Sequence, residues 1–175
     1  MDTIYIFTDA ATSPQMNVSI GAFICVDKDL LQQYAECNAQ DLNNKLIDQI
    51  VYQQYSSKKS TWSEIKTAID ALHFVHANLP FIRKIEIYTD CQSLCDLLNK
   101  RKEKLQNNNF ITRTGKTLNN ANLYKELFEC VEKFEIQVLK IKGHSSTASR
   151  LTIQEKIFAA LDKLSRKKLR AIAIG

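Results

Sequence analysis

Two segments of this sequence end in the same way: Ile6-Phe-Thr-Asp9 and Ile87-Tyr-Thr-Asp90 each carry a β-rich run directly into an aspartate. If the two runs are neighbouring parallel strands, both carboxylates emerge side by side at the carboxyl edge of a sheet, where open α/β sheets bind their ligands. Carboxylates held close repel each other and raise one pKa unless a cation lies between them. Hard divalent cations such as Mg²⁺ suit that arrangement, because they take a few carboxylate oxygens and leave positions for water and phosphate oxygens. Two such ions about 3.5 to 4 Å apart clamp the attacking and leaving oxygens of phosphodiester cleavage. A site of this kind needs further acids. Glu64 flanks the apolar stripe Ile65, Ala68 and Ile69. Asp162 sits mid-helix beside Leu161, where an aspartate is an indifferent helix former without some other purpose.

Each acid also has a plain structural reading. Asp90 precedes Cys-Gln-Ser and a leucine-rich helix and suits an N-cap. Thr61-Trp-Ser-Glu64 fits a capping box. Asp162 stands four residues before Arg166, the spacing of a helical ion pair. Asp9 is followed by loop-like residues and has no such second role. Of the three histidines, His73 and His76 fall near the buried face of a helix, whereas His144, in Lys142-Gly-His-Ser145, follows a strand at the same sheet edge as the aspartates. The five cysteines include no C-x-x-C pair and read as reduced packing thiols, with Cys91 at a strand end the one alternative nucleophile.

The elements that must position these residues are legible from periodicity. Runs at Ile4 to Thr8 and Val18 to Val26 predict two antiparallel strands, and Leu30 to Cys37 a third after the turn Asp27-Lys-Asp29. Helical spacing predicts helices over Asp41 to Tyr55, through Leu42, Leu46, Ile50 and Val51, and over Thr61 to Ala77. Then come a strand at Ile85 to Thr89, a helix bearing Leu94, Leu97 and Leu98, and a polar loop from Asn107 to Asn120. A helix at Asn122 to Lys133, a strand at Ile136 to Ile141 and a last helix at Ile153 to Arg170 complete the chain. Strands separated by helices run parallel through right-handed crossovers. The expectation is therefore an α/β fold with a mixed five-stranded sheet, antiparallel in its first hairpins and parallel later, and helices on both faces.

Composition narrows the function. The chain has 175 residues, 45% hydrophobic and 25% charged, with 4 Gly and 2 Pro, which excludes a disordered or fibrous protein and fits a single domain over 1–175. No apolar run approaches the roughly 20 residues of a membrane helix, and no basic, apolar leader opens the sequence; a cytoplasmic monomer is expected. The net charge is +5. Five basic residues and no acid lie in Lys163 to Arg170, leaving nineteen basic against nineteen acidic residues elsewhere. A weaker basic patch lies at Lys100 to Lys104. Such clusters favour a polyanionic partner, nucleic acid first, although a basic helix end also suits the helix dipole.

In order, strand-Thr-Asp9, helix-borne Glu64, Tyr88-Thr-Asp-Cys-Gln-Ser93, Thr117-Leu-Asn-Asn-Ala-Asn-Leu-Tyr-Lys-Glu-Leu127, Ile141-Lys-Gly-His-Ser145 and Asp162 resemble type 1 ribonuclease H over nearly the whole chain. The resemblance implies the ribonuclease H-like fold and a metal-dependent endonuclease that cuts the RNA strand of RNA-DNA hybrids to 5′-phosphate and 3′-hydroxyl products. It implies Asp9, Glu64, Asp90 and Asp162 as ligands of two Mg²⁺ or Mn²⁺ ions, one activating water and the other stabilising the leaving 3′ oxygen. It also implies His144 in proton handling or product release, with Gln92 and Asn120 on the hybrid, where the 2′-hydroxyl distinguishes RNA from DNA. Lys142, Lys167 and Lys168 add positive charge for the substrate. The sequence departs from the family pattern in Asp9-Ala-Ala11, in Ser60-Thr-Trp-Ser63, in a helical insertion around 41–58, in a reduced basic protrusion at Lys100 to Lys104, and in a long gap before Asp162, for which Glu155 competes. Two alternatives stand beside the hybrid nuclease: a related nuclease of the same fold acting on another nucleic acid, and a non-catalytic nucleic-acid-binding module.

Overall fold

A computed structural model describes residues 3–57, 59–143 and 152–174. The chain runs β1 (Thr3–Ser13), β2 (Val18–Val26), α1 (Lys28–Ala35), α2 (Ala39–Ile47), β3 (Val51–Tyr55), α3 (Ser60–Asn78), β4 (Lys84–Thr89), α4 (Gln92–Asp96), a π-helical turn (Leu97–Arg101), α5 (Lys102–Asn107), α6 (Ala121–Val131), β5 (Glu135–Lys140) and α7 (Ile153–Ile174). The five strands form one sheet in the order β3-β2-β1-β4-β5. β1–β2 and β2–β3 are antiparallel, β1–β4 and β4–β5 parallel, which is the mixed sheet the sequence predicts.

Alternation along the central strands splits the core in two. On β1, Ile4 and Ile6 face one apolar cluster, which includes Ile65, Ile69 and Leu72 of α3 and Leu127 and Phe128 of α6. Phe7 faces the other, with Tyr34 of α1, Leu42 and Leu46 of α2, and Ile157, Phe158 and Leu161 of α7. Full burial of each such side chain is worth about 1.5 to 3 kcal/mol, so both faces are covered by helices that carry continuous stripes. No described helix is long and apolar enough to cross a membrane.

The structure corrects the expected third strand at Leu30 to Cys37. That segment is α1, opened by Asp27, whose side chain accepts from the Leu30 amide, and buried through Tyr34. The helix expected over Asp41 to Tyr55 stops at Ile47, and Val51–Tyr55 becomes the edge strand β3. Leu42, Leu46 and Ile50 do share a buried face, but the β-branched and aromatic residues after Ile50 favour the sheet. The span 41–58, where a helical insertion is expected, holds most of α2 and the strand β3, and α1 and α2 pack on α7.

Two features aim the functional edge. β1 and β4 are in register with Ile4 beside Ile85, Ile6 beside Ile87 and Phe7 beside Tyr88; the last two rings stack at 5.0 Å. Asp9 and Asp90, two residues further along each strand, therefore stand at the same level. On the other face α3 lies so close to β2 that a Cβ on Gly21 would strike Thr67 Oγ1 and the Tyr55 ring. Glu64, about one turn before Thr67, is brought down onto the strand ends.

Candidate active site

Asp9 of β1, Glu64 of α3 and Asp90 at the end of β4 each offer a carboxylate oxygen, and these atoms lie within 4.8 Å of one another. Asp9 and Glu64 are only 5% and 7% exposed. The capping roles are not taken. α3 begins after Lys59 with no side-chain cap, which leaves Glu64 turned into the site. α4 begins after Cys91, also without a side-chain cap, and the Cys91 amide donates to Thr89 Oγ1.

Burial and like charge set the electrostatics. Desolvation pushes the Asp9 carboxyl up to about 6; a hydrogen bond from Ser165 opposes this, Asp162 and Asp90 add to it, and Arg166 counters. Glu64 is held well above the ordinary carboxylate range by burial and by Asp9 and Asp90, against a hydrogen bond from the Ala10 backbone. Glu64 Oε2 is buried with no hydrogen-bond partner. Three converging carboxylates with an orphaned buried oxygen are what a hard divalent cation satisfies, and among the described residues no second cluster of this kind occurs.

Asp162 projects from α7 onto the rim of the same cleft and pairs with Arg166 at 2.8 Å. It is thus ion-paired at i+4 and shares the cleft with the acids, but the three carboxylates that lie within 4.8 Å of one another are those of Asp9, Glu64 and Asp90. Glu155, the competitor of Asp162, does not line the cleft and takes part in a capping box. Its Oε2 accepts from the Thr152 amide at 2.9 Å, and its own amide donates to Thr152 Oγ1 at 3.2 Å.

The cleft has a volume of about 570 Å³ and is lined on its far walls by Ala10, Ala11, Ser60, Thr61, Gln92 and Arg166. Of the departures from the family pattern, the segments Asp9-Ala-Ala11 and Ser60-Thr-Trp-Ser63 thus contribute to its lining. Gln92 accepts from Lys140 Nζ at 2.6 Å and donates to Asp96 at 3.0 Å. Lys142 is exposed beside Gly143. Asn120 stands just before α6 and does not line the acidic cleft. Lys167 and Lys168 are exposed on α7, with Lys168 Nζ 5.7 Å from the centre of the Tyr52 ring. His144 lies outside the described residues. Cys91 lines the cleft, but burial pushes its thiol up to about 11, which argues against a thiolate nucleophile.

Sequence reasoning missed three contributors. Ser165 is fully buried and donates its hydroxyl to Asp9 Oδ2. Arg166, expected as the partner of Asp162 and as one of the basic residues of Lys163 to Arg170, also lines the cleft. Gly143 is required where it stands, because a Cβ there would overlap the Asp90 carboxylate. The first two carry a signal in helical spacing, three and four residues beyond Asp162; the glycine carries none until Asp90 is placed.

Comparison with known proteins finds the ribonuclease H family model matching residues 1–167. A curated ribonuclease H of Caldanaerobacter subterraneus subsp. tengcongensis is 25% identical over 145 residues, covering 82% of this chain and 81% of that one. LC9-RNase H1, described as a type 1 enzyme with the type 2 active-site motif, superposes with a TM-score of 0.68 at 10% identity, over 98% of this chain and 74% of its own. The PFV RNase H domain gives 0.64 at 16% identity, over 97% and 94%. A foamy viral protease-reverse transcriptase in complex with an RNA/DNA hybrid gives 0.51 at 13% identity, over 89% and 20%.

Proposed function

The chain belongs to the ribonuclease H family, and from that premise we propose a divalent-metal-dependent endonuclease that hydrolyses the RNA strand of RNA-DNA hybrids to 5′-phosphate and 3′-hydroxyl ends, as a monomer in the cytoplasm. The observation that carries the reading is the convergence of Asp9, Glu64 and Asp90 from three different elements, with a buried Glu64 oxygen left without a partner. A binding module would gain nothing from repelling acids at the place where a polyanion must dock.

Asp9, Glu64, Asp90 and Asp162 are the residues that would hold two Mg²⁺ ions, or Mn²⁺ in their place. Bound there, the metal would supply an activated water and charge for the leaving oxygen. The remaining work belongs to the protein. β1 and β4 hold Asp9 and Asp90 level by their register, so the sheet itself positions two of the carboxylates that would hold the metal. Arg166 holds Asp162 at the rim. His144 is proposed to handle the proton of the departing product. Gln92, its amide fixed by Lys140 and Asp96, is proposed to read the minor groove together with Asn120, and Lys142, Lys167 and Lys168 to contact phosphates. The hybrid as partner is supported by the similar foamy viral protease-reverse transcriptase, whose structure is in complex with one.

A second reading, the same fold cutting another nucleic acid, is favoured by the cleft position of Ala10, Ala11, Ser60 and Thr61, all on segments that differ from the family pattern. One experiment separates the two: end-labelled hybrid, DNA duplex and RNA duplex incubated with Mg²⁺, Mn²⁺ or EDTA, with Asp90→Asn as control. Metal-dependent cutting of the hybrid's RNA strand alone, lost in the variant, is expected. Cutting of all three duplexes would transfer the assignment to the broader nuclease.

A further inference from the structure

Ser165 is fully buried in the middle of α7, where alanine is the better helix former. Its Oγ lies against Asp9 Oδ2 and 3.0 Å from the carbonyl oxygen of Asp162. A serine hydroxyl has one proton to give. The carbonyl three residues back is the usual local acceptor for a helical serine, and a bond to it alone would do nothing for the site. A bond to a carboxylate is charge-assisted and the stronger of the two, so the hydroxyl donates to the ionised Asp9, which accepts.

We infer that Ser165 is a positioning residue for the metal site: its hydroxyl fixes the carboxylate plane of Asp9 and ties α7, with Asp162, to β1. The inference rests on the nuclease reading above and deepens it. The geometry supports it in two ways. One oxygen of Asp9 is occupied by Ser165, which leaves the other for the cleft. The contact also joins residues 156 positions apart, on two elements whose relative placement decides whether Asp162 stands near the other acids. Partners of this kind, hydrogen-bonded behind a metal-binding carboxylate, orient the ligand and commonly change metal affinity 10- to 100-fold when removed.

The test is Ser165→Ala, which deletes one oxygen, beside Ser165→Thr, which keeps a hydroxyl. Mn²⁺ binding to the whole protein is measured by electron paramagnetic resonance without substrate, and hybrid cleavage is measured across metal concentration. Ser165→Ala is expected to bind Mn²⁺ at least about 10-fold more weakly, to shift the metal dependence of cleavage upward by the same factor, and to recover most of its turnover at saturating metal. Ser165→Thr is expected to restore Mn²⁺ affinity to within a few-fold of wild type. Wild-type affinity in Ser165→Ala, with cleavage intact, would overturn the positioning role and leave the nuclease reading standing. A metal-free melting temperature lowered in both variants, with Mn²⁺ affinity unchanged in both, would overturn it equally, because the contact would then serve packing alone. A wild-type protein that binds no Mn²⁺ would overturn the nuclease reading and this assignment together.

Discussion

The same two strands, β1 and β4, build two opposite environments within a few residues. Along Ile4 to Phe7 and Ile85 to Tyr88 they are paired, and Ile4, Ile6, Phe7, Ile85, Ile87 and Tyr88 are apolar and buried. Two residues further on they carry Asp9 and Asp90; the charge of Asp90 raises the protonation equilibrium of Asp9, and both raise that of Glu64. β1 continues as strand through Asp9, whereas β4 ends at Thr89, just before Asp90; the side-chain chemistry reverses at that level. The apolar half gains from burial what the acidic half loses by it, so the fold tolerates a preorganised site whose like charges only a cation reconciles. Stability and activity should therefore separate along a single strand.

The largest expected effect is Asp90→Asn. It should lower hybrid cleavage by on the order of 10³-fold, the scale for removing a key electrostatic group from a preorganised site. The metal-free melting temperature should hold or rise, because a repulsion is gone. Glu64→Gln should follow the same pattern, adding roughly 0.5 to 2 kcal/mol of metal-free stability, as substitutions that relax a strained active site do. The opposite profile belongs to Ile87→Ala, three residues upstream. It should cost about 2 to 5 kcal/mol in chemical denaturation while leaving turnover per folded molecule at saturating metal within about twofold. An Ile87→Ala that folds normally but fails to cleave would erase the contrast between the two halves.

That division also explains what was legible in the sequence. Apolar periodicity marks α3, α7 and the parallel strands because burial must repeat at 3.6 or 2 residues. The shared Thr-Asp endings place Asp9 and Asp90 once the strands are taken as neighbours. The region 28–55 was misread because Leu42, Leu46 and Ile50 keep helical spacing through a helix, a turn and the start of an edge strand. A five-residue strand with both faces partly exposed shows no strong alternation. Ser165 and Gly143 were invisible for a different reason. Beyond the local bond of Ser165 to the Asp162 carbonyl, each meets one carboxylate that lies far away in sequence.

Acidity offers a smaller but cleaner probe. Asp9 has an ordinary value of 3.8 and is pushed up to about 6 in the metal-free fold, so between these limits the folded state holds a proton that the unfolded chain releases. Its contribution to stability is full below about 4 and is lost as pH rises through 6. Lowering pH from 7.5 to 5.5 without metal should thus add about 1 kcal/mol from Asp9, or roughly 3 °C in Tm for a chain of this size. Glu64 shifts in the same direction. Saturating Mg²⁺, which requires the ionised acids, should flatten or reverse the trend. A metal-free Tm that falls steadily from pH 7.5 to 5.5, followed by scanning calorimetry, would show that the acids are not desolvated as their burial indicates.

The smallest effect concerns the two basic regions, which composition alone could not rank. Around Lys100 the charge is largely answered from within: Lys100 pairs with Asp96 at 3.1 Å and Lys102 with Glu132 at 3.4 Å. On α7, Arg166 is paired with Asp162, whereas Lys167 and Lys168 stand exposed on the segment whose Arg166 and Leu169 line the cleft. Cations already matched by carboxylates release fewer counterions on meeting a phosphate backbone, so the α7 lysines should dominate the salt dependence of binding. Replacing Lys167 and Lys168 by alanine should raise the hybrid KM several-fold at moderate salt and reduce the slope of log K against log salt by roughly 1 to 2, with kcat nearly unchanged. The matching double replacement of Lys100 and Lys102 should alter the slope by less than half as much. Equal slopes in the two variants would mean that ion pairing within the protein does not decide which lysines meet the substrate, and the basic end of α7 would lose its assigned place at the duplex.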